Sequence, residues 1–188
     1  VATDQGDVVA RLTSQIAEGT EFIVPMGERA DPQTVQFGNH VDTEPVGVLA
    51  WEATRIASGI PRIGLDTDAR TIPNEIGLYA THLDKGCYRG QETVARVHNL
   101  GRPPRRLTML MLDGSDAELP DPGASVILEG RKVGQLGGVA MHHELGPVGL
   151  ALLKRNVSVD SVLTVDGVAA SQTILVDPEV GLHVRPQL

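Results

Sequence analysis

Residues 125–139 read SVILEGRKVGQLGGV. Two short apolar runs flank Glu129-Gly130, a pair suited to a tight hairpin because glycine takes positive φ without steric cost. EGRK between Leu128 and Val133 therefore predicts a β-hairpin. Working outward, the same grammar recurs. LTMLML precedes the hairpin, and VGLALL, SVLTV and VAASQTILV follow it, separated by DG, EG, PG and GP pairs, with Asp166-Gly167 closing a second hairpin. Repeated short strands with turn signals predict a small β-barrel or sandwich. GQLGG lacks the lysine and helix that follow a phosphate loop, so it is read as strand.

Upstream of this block the grammar changes at NLGRPPRR, where Gly101, Pro103 and Pro104 break the pattern. A boundary there divides the chain into 1–101 and 102–188. In the front portion, Val8, Val9, Leu12 and Ile16 recur at helical spacing, predicting a helix over Asp7–Glu18 that stops at Gly19; EFIVP then reads as a strand. A second helix is predicted from about Pro45 to Ser58, capped by Thr43 and stopped by Gly59 and Pro61. RIGLDTDARTIPNEIGLYATHLD is broken by Gly, Asp and Pro into loops and brief strands, and a short helix follows over Glu92–Val97.

Composition narrows the function. The net charge of −8 gives no general cationic surface for nucleic acid or anionic membrane. A single cysteine makes no intrachain disulfide and no thiolate cage, which fits a reducing compartment, and no apolar run reaches the roughly 20 residues of a membrane span. A soluble, cytoplasmic protein is expected. Aromatics are 3% of the chain, so a stacking platform must draw on a handful of rings, Trp51 among them.

Chemistry concentrates in KGCYRGQE, residues 85–92. Gly86 and Gly90 let a ligand approach the main chain. If a helix begins near Gln91, its free N–H groups, with Lys85 and Arg89, would favour a Cys87 thiolate. The alternative is a cysteine that packs as a small buried hydrophobe. The six histidines show no HExxH spacing, and adjacent His142 and His143 would point to opposite faces of a strand, so no metal site is expected. Glu75, after the turn at Pro73, could accept paired hydrogen bonds from a heterocycle edge or simply lie in a surface loop. Trp51 and Arg55, four positions apart on one helix, share a side. RPPRR, residues 102–106, reads either as a solvated linker or as a clamp for an anionic tail.

KGCYRGQE, with ATRIASGIPRIG upstream and ETVARVHNLGRPPRRL downstream, resembles the signature of the YgfZ-type folate-binding proteins, relatives of the glycine-cleavage aminomethyltransferase. LPDPGASVILEGRKVGQLGG is similar to that family's C-terminal barrel. The resemblance implies an α+β fold: a ferredoxin-like folate-binding portion over 1–101, then a small β-barrel over 102–188. It implies tetrahydrofolate as cofactor, bound by Trp51, Arg55, Glu75, Tyr88, Gly90, Gln91, Glu92 and Arg102, with Cys87 and Lys85 as the reactive pair. It further implies a bacterial accessory factor in assembly or repair of iron–sulfur clusters, meeting client or assembly proteins transiently. The family's N-terminal region is absent here, and is expected as a further partner. Two other readings stay open: a folate-dependent one-carbon transferase, and a binding module whose barrel docks a partner.

Overall fold

Both predicted hairpins close on residues held at positive φ. Glu129 and Gly130 stand at φ 49° and 76°, Asp166 and Gly167 at 49° and 88°. Two consecutive positive values give a turn whose twist matches the flanking strands. The computed structural model describes residues 10–13, 20–23, 47–78, 86–100, 103–114 and 118–179. The six strands set by these turns are β3 (Arg105–Leu112), β4 (Ser125–Leu128), β5 (Arg131–His142), β6 (Gly146–Lys154), β7 (Leu163–Val165) and β8 (Val168–Ile174). They close into a barrel in the order β3-β6-β5-β4-β7-β8, with every pairing antiparallel. The structure thus decides for a barrel over a sandwich.

Alternation along the strands builds two cores. Leu110, Leu112, Val126, Leu136, Leu153, Leu163 and Val165 fill the barrel. Leu107, Met109, Val148, Leu150 and Leu152 point outward and form a second core with Ala53 and Ile56. Those two come from α1 (Val48–Ala57), which lies across β5 and β6. Gly47 precedes the helix and Gly59, at φ 70°, follows it. The predicted cap Thr43 and Pro45 lie outside the described residues.

One end of the barrel interior is polar. Arg106 is buried and donates to Thr108 Oγ1, to the Val157 carbonyl at 3.2 Å and to Gln172 Oε1 at 2.7 Å. Gln172 Nε2 donates in turn to the carbonyls of Ser158 and Ser161, pinning the loop before β7. Burial pushes the Arg106 guanidinium below its ordinary pKa.

In the front portion the structure corrects the first predicted helix. Ala10–Thr13 form a strand, β1, paired antiparallel with β2 (Thr20–Ile23), the latter overlapping the EFIVP segment read as a strand. Cross-strand pairing outweighed the helical spacing, as β propensity depends on the partner a segment finds. Beyond α1, residues 62–78 hold turns and one 3-10 helix, Pro73–Ile76, which bears out the loops expected there but not the brief strands. The second α-helix, α2, runs Gln91–Leu100, longer than predicted but starting where KGCYRGQE placed it. Among the described residues no helix is long and apolar enough to cross a membrane.

Candidate functional site

The segment before α2 is a turn. The Gln91 amide donates to the Tyr88 carbonyl at 3.2 Å, and Gly90 sits between them at φ 81°, a conformation costly for other residues. Gly86 is not in that region, so only one of the two glycines is needed for its backbone; among the described residues an added Cβ at either would meet no atom within 4 Å. Cys87 is exposed, which disposes of its reading as buried packing. Gln91 and Glu92 open the helix, with Glu92 in the first turn where a negative charge is favoured. Val94 and Val97 give it a buried side. Lys85 and Arg102 lie outside the described residues.

Trp51 and Arg55 share α1 but not an environment. The indole is 41% exposed, beside exposed Val48 and Leu49, whereas Arg55 is 2% exposed. Arg55 donates to Asp66 Oδ2 at 2.8 Å, to Glu52 Oε2 at 2.8 Å and to the Ile60 carbonyl. Asp66, also buried, accepts from the amides of Arg62 at 2.7 Å and Gly138 at 2.5 Å. This pair bolts α1 and its following turn to β5. Burial alone would raise the pKa of Glu52, but hydrogen bonds from Arg55 and Arg62 outweigh it and hold the carboxyl below its ordinary value.

A second charged cluster surrounds Arg105. Its Nε and Nη2 grip Glu75 at 2.9 and 2.8 Å, and Nη1 and Nη2 grip Asp68 at 2.7 and 3.1 Å. Glu75 is fully buried and also accepts from the Ile72 amide, capping the 3-10 helix. A carboxylate offers about four lone-pair positions, and three of these are taken without any contact to solvent. Glu75 therefore braces the 3-10 helix against β3, and its surface-loop reading is corrected. RPPRR is neither linker nor clamp over Arg105 and Arg106, which are β3 residues engaged with protein partners. The hydrogen bond from Arg105 holds Asp68 far below the ordinary aspartate pKa.

At the β5–β6 turn, His142 Nδ1 accepts the Glu144 and Leu145 amides at 3.2 Å, so that nitrogen serves the turn. Among the described residues no group of three or more His, Cys, Asp or Glu could hold a metal ion. The structure thus places the candidates in separate settings: exposed Cys87, Gly90 and Glu92 with half-buried Tyr88 and Gln91 at the mouth of α2, Trp51 on the open side of α1, and Arg55 and Glu75 inside the braces of the barrel's outer face. Sequence reasoning missed Asp66, Asp68 and Arg105; the one available signal was the dense charge of LDTD and RPPRR beside apolar residues.

Comparison with known proteins agrees with the barrel. Residues 105–175 match the family model of the CAF17 C-terminal beta-barrel domain. A putative chloroplastic transferase of Arabidopsis thaliana is 37% identical over 93 residues, 49% of this chain and 21% of that protein. The tRNA-modifying protein YgfZ of Colwellia psychrerythraea is 36% identical over 80 residues, 41% of this chain and 24% of that protein. YgfZ of Escherichia coli K12 is 37% identical over 82 residues, with 42% and 24% covered. The chain thus matches less than a quarter of the length of these relatives. Over that stretch the YgfZ-type resemblance is borne out.

Proposed function

We propose that this relative of the YgfZ-type proteins is a tetrahydrofolate-binding accessory factor for assembly or repair of iron–sulfur clusters in client enzymes, acting through Cys87. The observation that carries the reading is the exposure of Cys87 in the glycine turn that opens α2, joined to the YgfZ similarity. The front portion would complete a ferredoxin-like folate-binding unit against the barrel. The described residues fit folate in part. Trp51 offers an open ring face for a flat heterocycle, and Gly90 leaves the main chain approachable, whereas Arg55 and Glu75 are committed to protein partners. Bound folate would supply one-carbon or redox chemistry.

One cysteine supplies one thiolate, too few for the four that hold a cluster, so Cys87 would touch iron or sulfur transiently while the client provides the rest. Such chemistry belongs in a reducing compartment, the cytoplasm or a plastid like that of the Arabidopsis relative. A folate-dependent one-carbon transferase is the second reading, favoured by that relative's description as a putative transferase.

The test uses the full-length protein. In cells carrying Cys87→Ser, an iron–sulfur client should lose most of its activity while the variant accumulates normally; full client activity would sink the accessory mechanism. Tetrahydrofolate titrated against Trp51→Ala should bind about tenfold more weakly than against wild type, the loss expected for one stacking ring. An unchanged titration followed by calorimetry would remove Trp51 from the site. Transfer of a labelled one-carbon group by the Cys87→Ser variant would favour the transferase instead.

A further inference from the structure

A cavity of about 410 Å³ opens between the turn at 65–68 and the outer face of β5 and β6. Its size lies within the usual range of small-molecule sites. None of Trp51, Arg55, Glu75, Tyr88, Gly90, Gln91 and Glu92 lines it, although Asp66 and Arg105 of its wall are bonded to Arg55 and Glu75. Leu65 and Leu152 supply apolar wall, and Gln135 supplies an amide.

Five charged residues line the cavity, and their partners are unequal. Asp66 is matched by Arg55 and two backbone amides, and Asp68 by the Arg105 fork. Arg105 is in turn spent on Asp68 and Glu75. Lys132 and Lys154 remain: among the described residues neither has a carboxylate within 4.0 Å. Lys154 also stands directly across the strand pair from Arg105. Because Asp68 and Glu75 already meet the Arg105 charge, the surplus positive charge of this face is that of Lys132 and Lys154, which an anion would relieve. The rest of the chain works against casual adsorption, since a net charge of −8 repels anions at long range.

We propose that this cavity binds a small organic anion, its phosphate or carboxylate head held by Lys132 and Lys154 and its compact apolar body against Leu65 and Leu152. Phosphate and carboxylate share the same charge-assisted hydrogen bonding to ammonium groups. Two probes separate them: phenyl phosphate and benzoate, titrated by calorimetry into the full-length protein.

Saturable binding of either probe with Kd of about 1 mM or tighter is expected. Lys132→Ala with Lys154→Ala should weaken it about tenfold or more, and the matching pair of Lys→Arg changes should retain it within about threefold. Both lysines are exposed, so thermal midpoints should stay at the wild-type value in each variant. Tighter phenyl phosphate assigns a phosphate head, and tighter benzoate a carboxylate. Absence of saturation by both probes to about 10 mM, or equal affinity in the double alanine variant, would overturn the site. Cys87→Ser should bind the probes as wild type does, so failure of the cluster-assembly reading and failure of this one are distinguishable.

Discussion

Asp68 lies at the rim of the Arg105 cluster, with half of its side chain in solvent. The hydrogen bond from Arg105 is the main reason its carboxyl titrates below the ordinary range. Folded Asp68 is therefore still ionised at a pH where unfolded Asp68 has taken up a proton. The unfolded chain binds more protons in that window, so stability rises with pH through it. The contribution is present above the unfolded value of about 3.9 and is lost as pH falls through the folded value. Solvent screening keeps it small, about 0.5–1 kcal/mol at neutral pH. Asp68→Asn should lower the unfolding free energy read from urea denaturation at pH 7 by that amount. Its deficit against wild type should hold down to about pH 5 and close between pH 5 and 2. A constant deficit across the whole range would show that Arg105 does not hold the charged form.

At the scale of elements, β5 carries the contact that fixes α1. Gly137 and Gly138 sit where its pairing with β6 shifts register, between Leu136 and Val139. A Cβ on Gly138 would lie 2.6 Å from Arg55 Nη2, and one on Gly137 would lie 2.7 Å from Asp66 Cα. The glycines are needed for close approach, and Gly138 lends its amide to Asp66 besides. Gly138→Ala should cost about 2–3 kcal/mol, the range for an overpacked site that also strains a buried ion pair. Gly86→Ala, where a Cβ meets open space, should stay within about 0.5 kcal/mol in the same denaturation experiment. The barrel strands and hairpins were legible in the sequence because turn chemistry and apolar runs are local signals. GQLGG was rightly read as strand, but its purpose was not legible, since Asp66 lies 72 positions away. The buried ion pair of Arg55 and the double fork of Arg105 were not legible for the same reason: a charge in a sequence does not show the distant partner that brings it inside. The start of α2 was legible and Cys87 could be singled out, yet its exposure was not, because a lone thiol serves packing and chemistry equally well.

At the scale of the molecule, the family match and the packing draw different outlines. The match covers residues 105–175, the barrel alone, whereas the second core joins Leu107, Met109, Val148 and Leu150 of the barrel to Ala53 and Ile56 of α1. A division at 101 and 102 separates these elements along the chain, but a hydrophobic layer and two braces, Arg55–Asp66–Gly138 and Arg105–Glu75, concern both sides of it. Cutting there would expose the outer apolar face of β3 and β6 and strip Arg105 of both its carboxylate partners. A truncation to residues 103–179 should keep the interior core, because none of its members lies upstream. It should nevertheless bind a hydrophobic dye and unfold at lower urea than a fragment spanning 47–179. Losing the burial of Ile56 and its neighbours removes about 1.5–3 kcal/mol per large side chain, a sizeable share of the 5–15 kcal/mol that holds a domain together. Equal midpoints and equal dye binding would mean that α1 rests on the barrel without stabilising it, and that the apolar outer face is tolerated bare. The expected outcome instead makes the barrel's outer face the platform that orients α1, so Trp51 and the Lys132–Lys154 cavity are held by the same layer of packing.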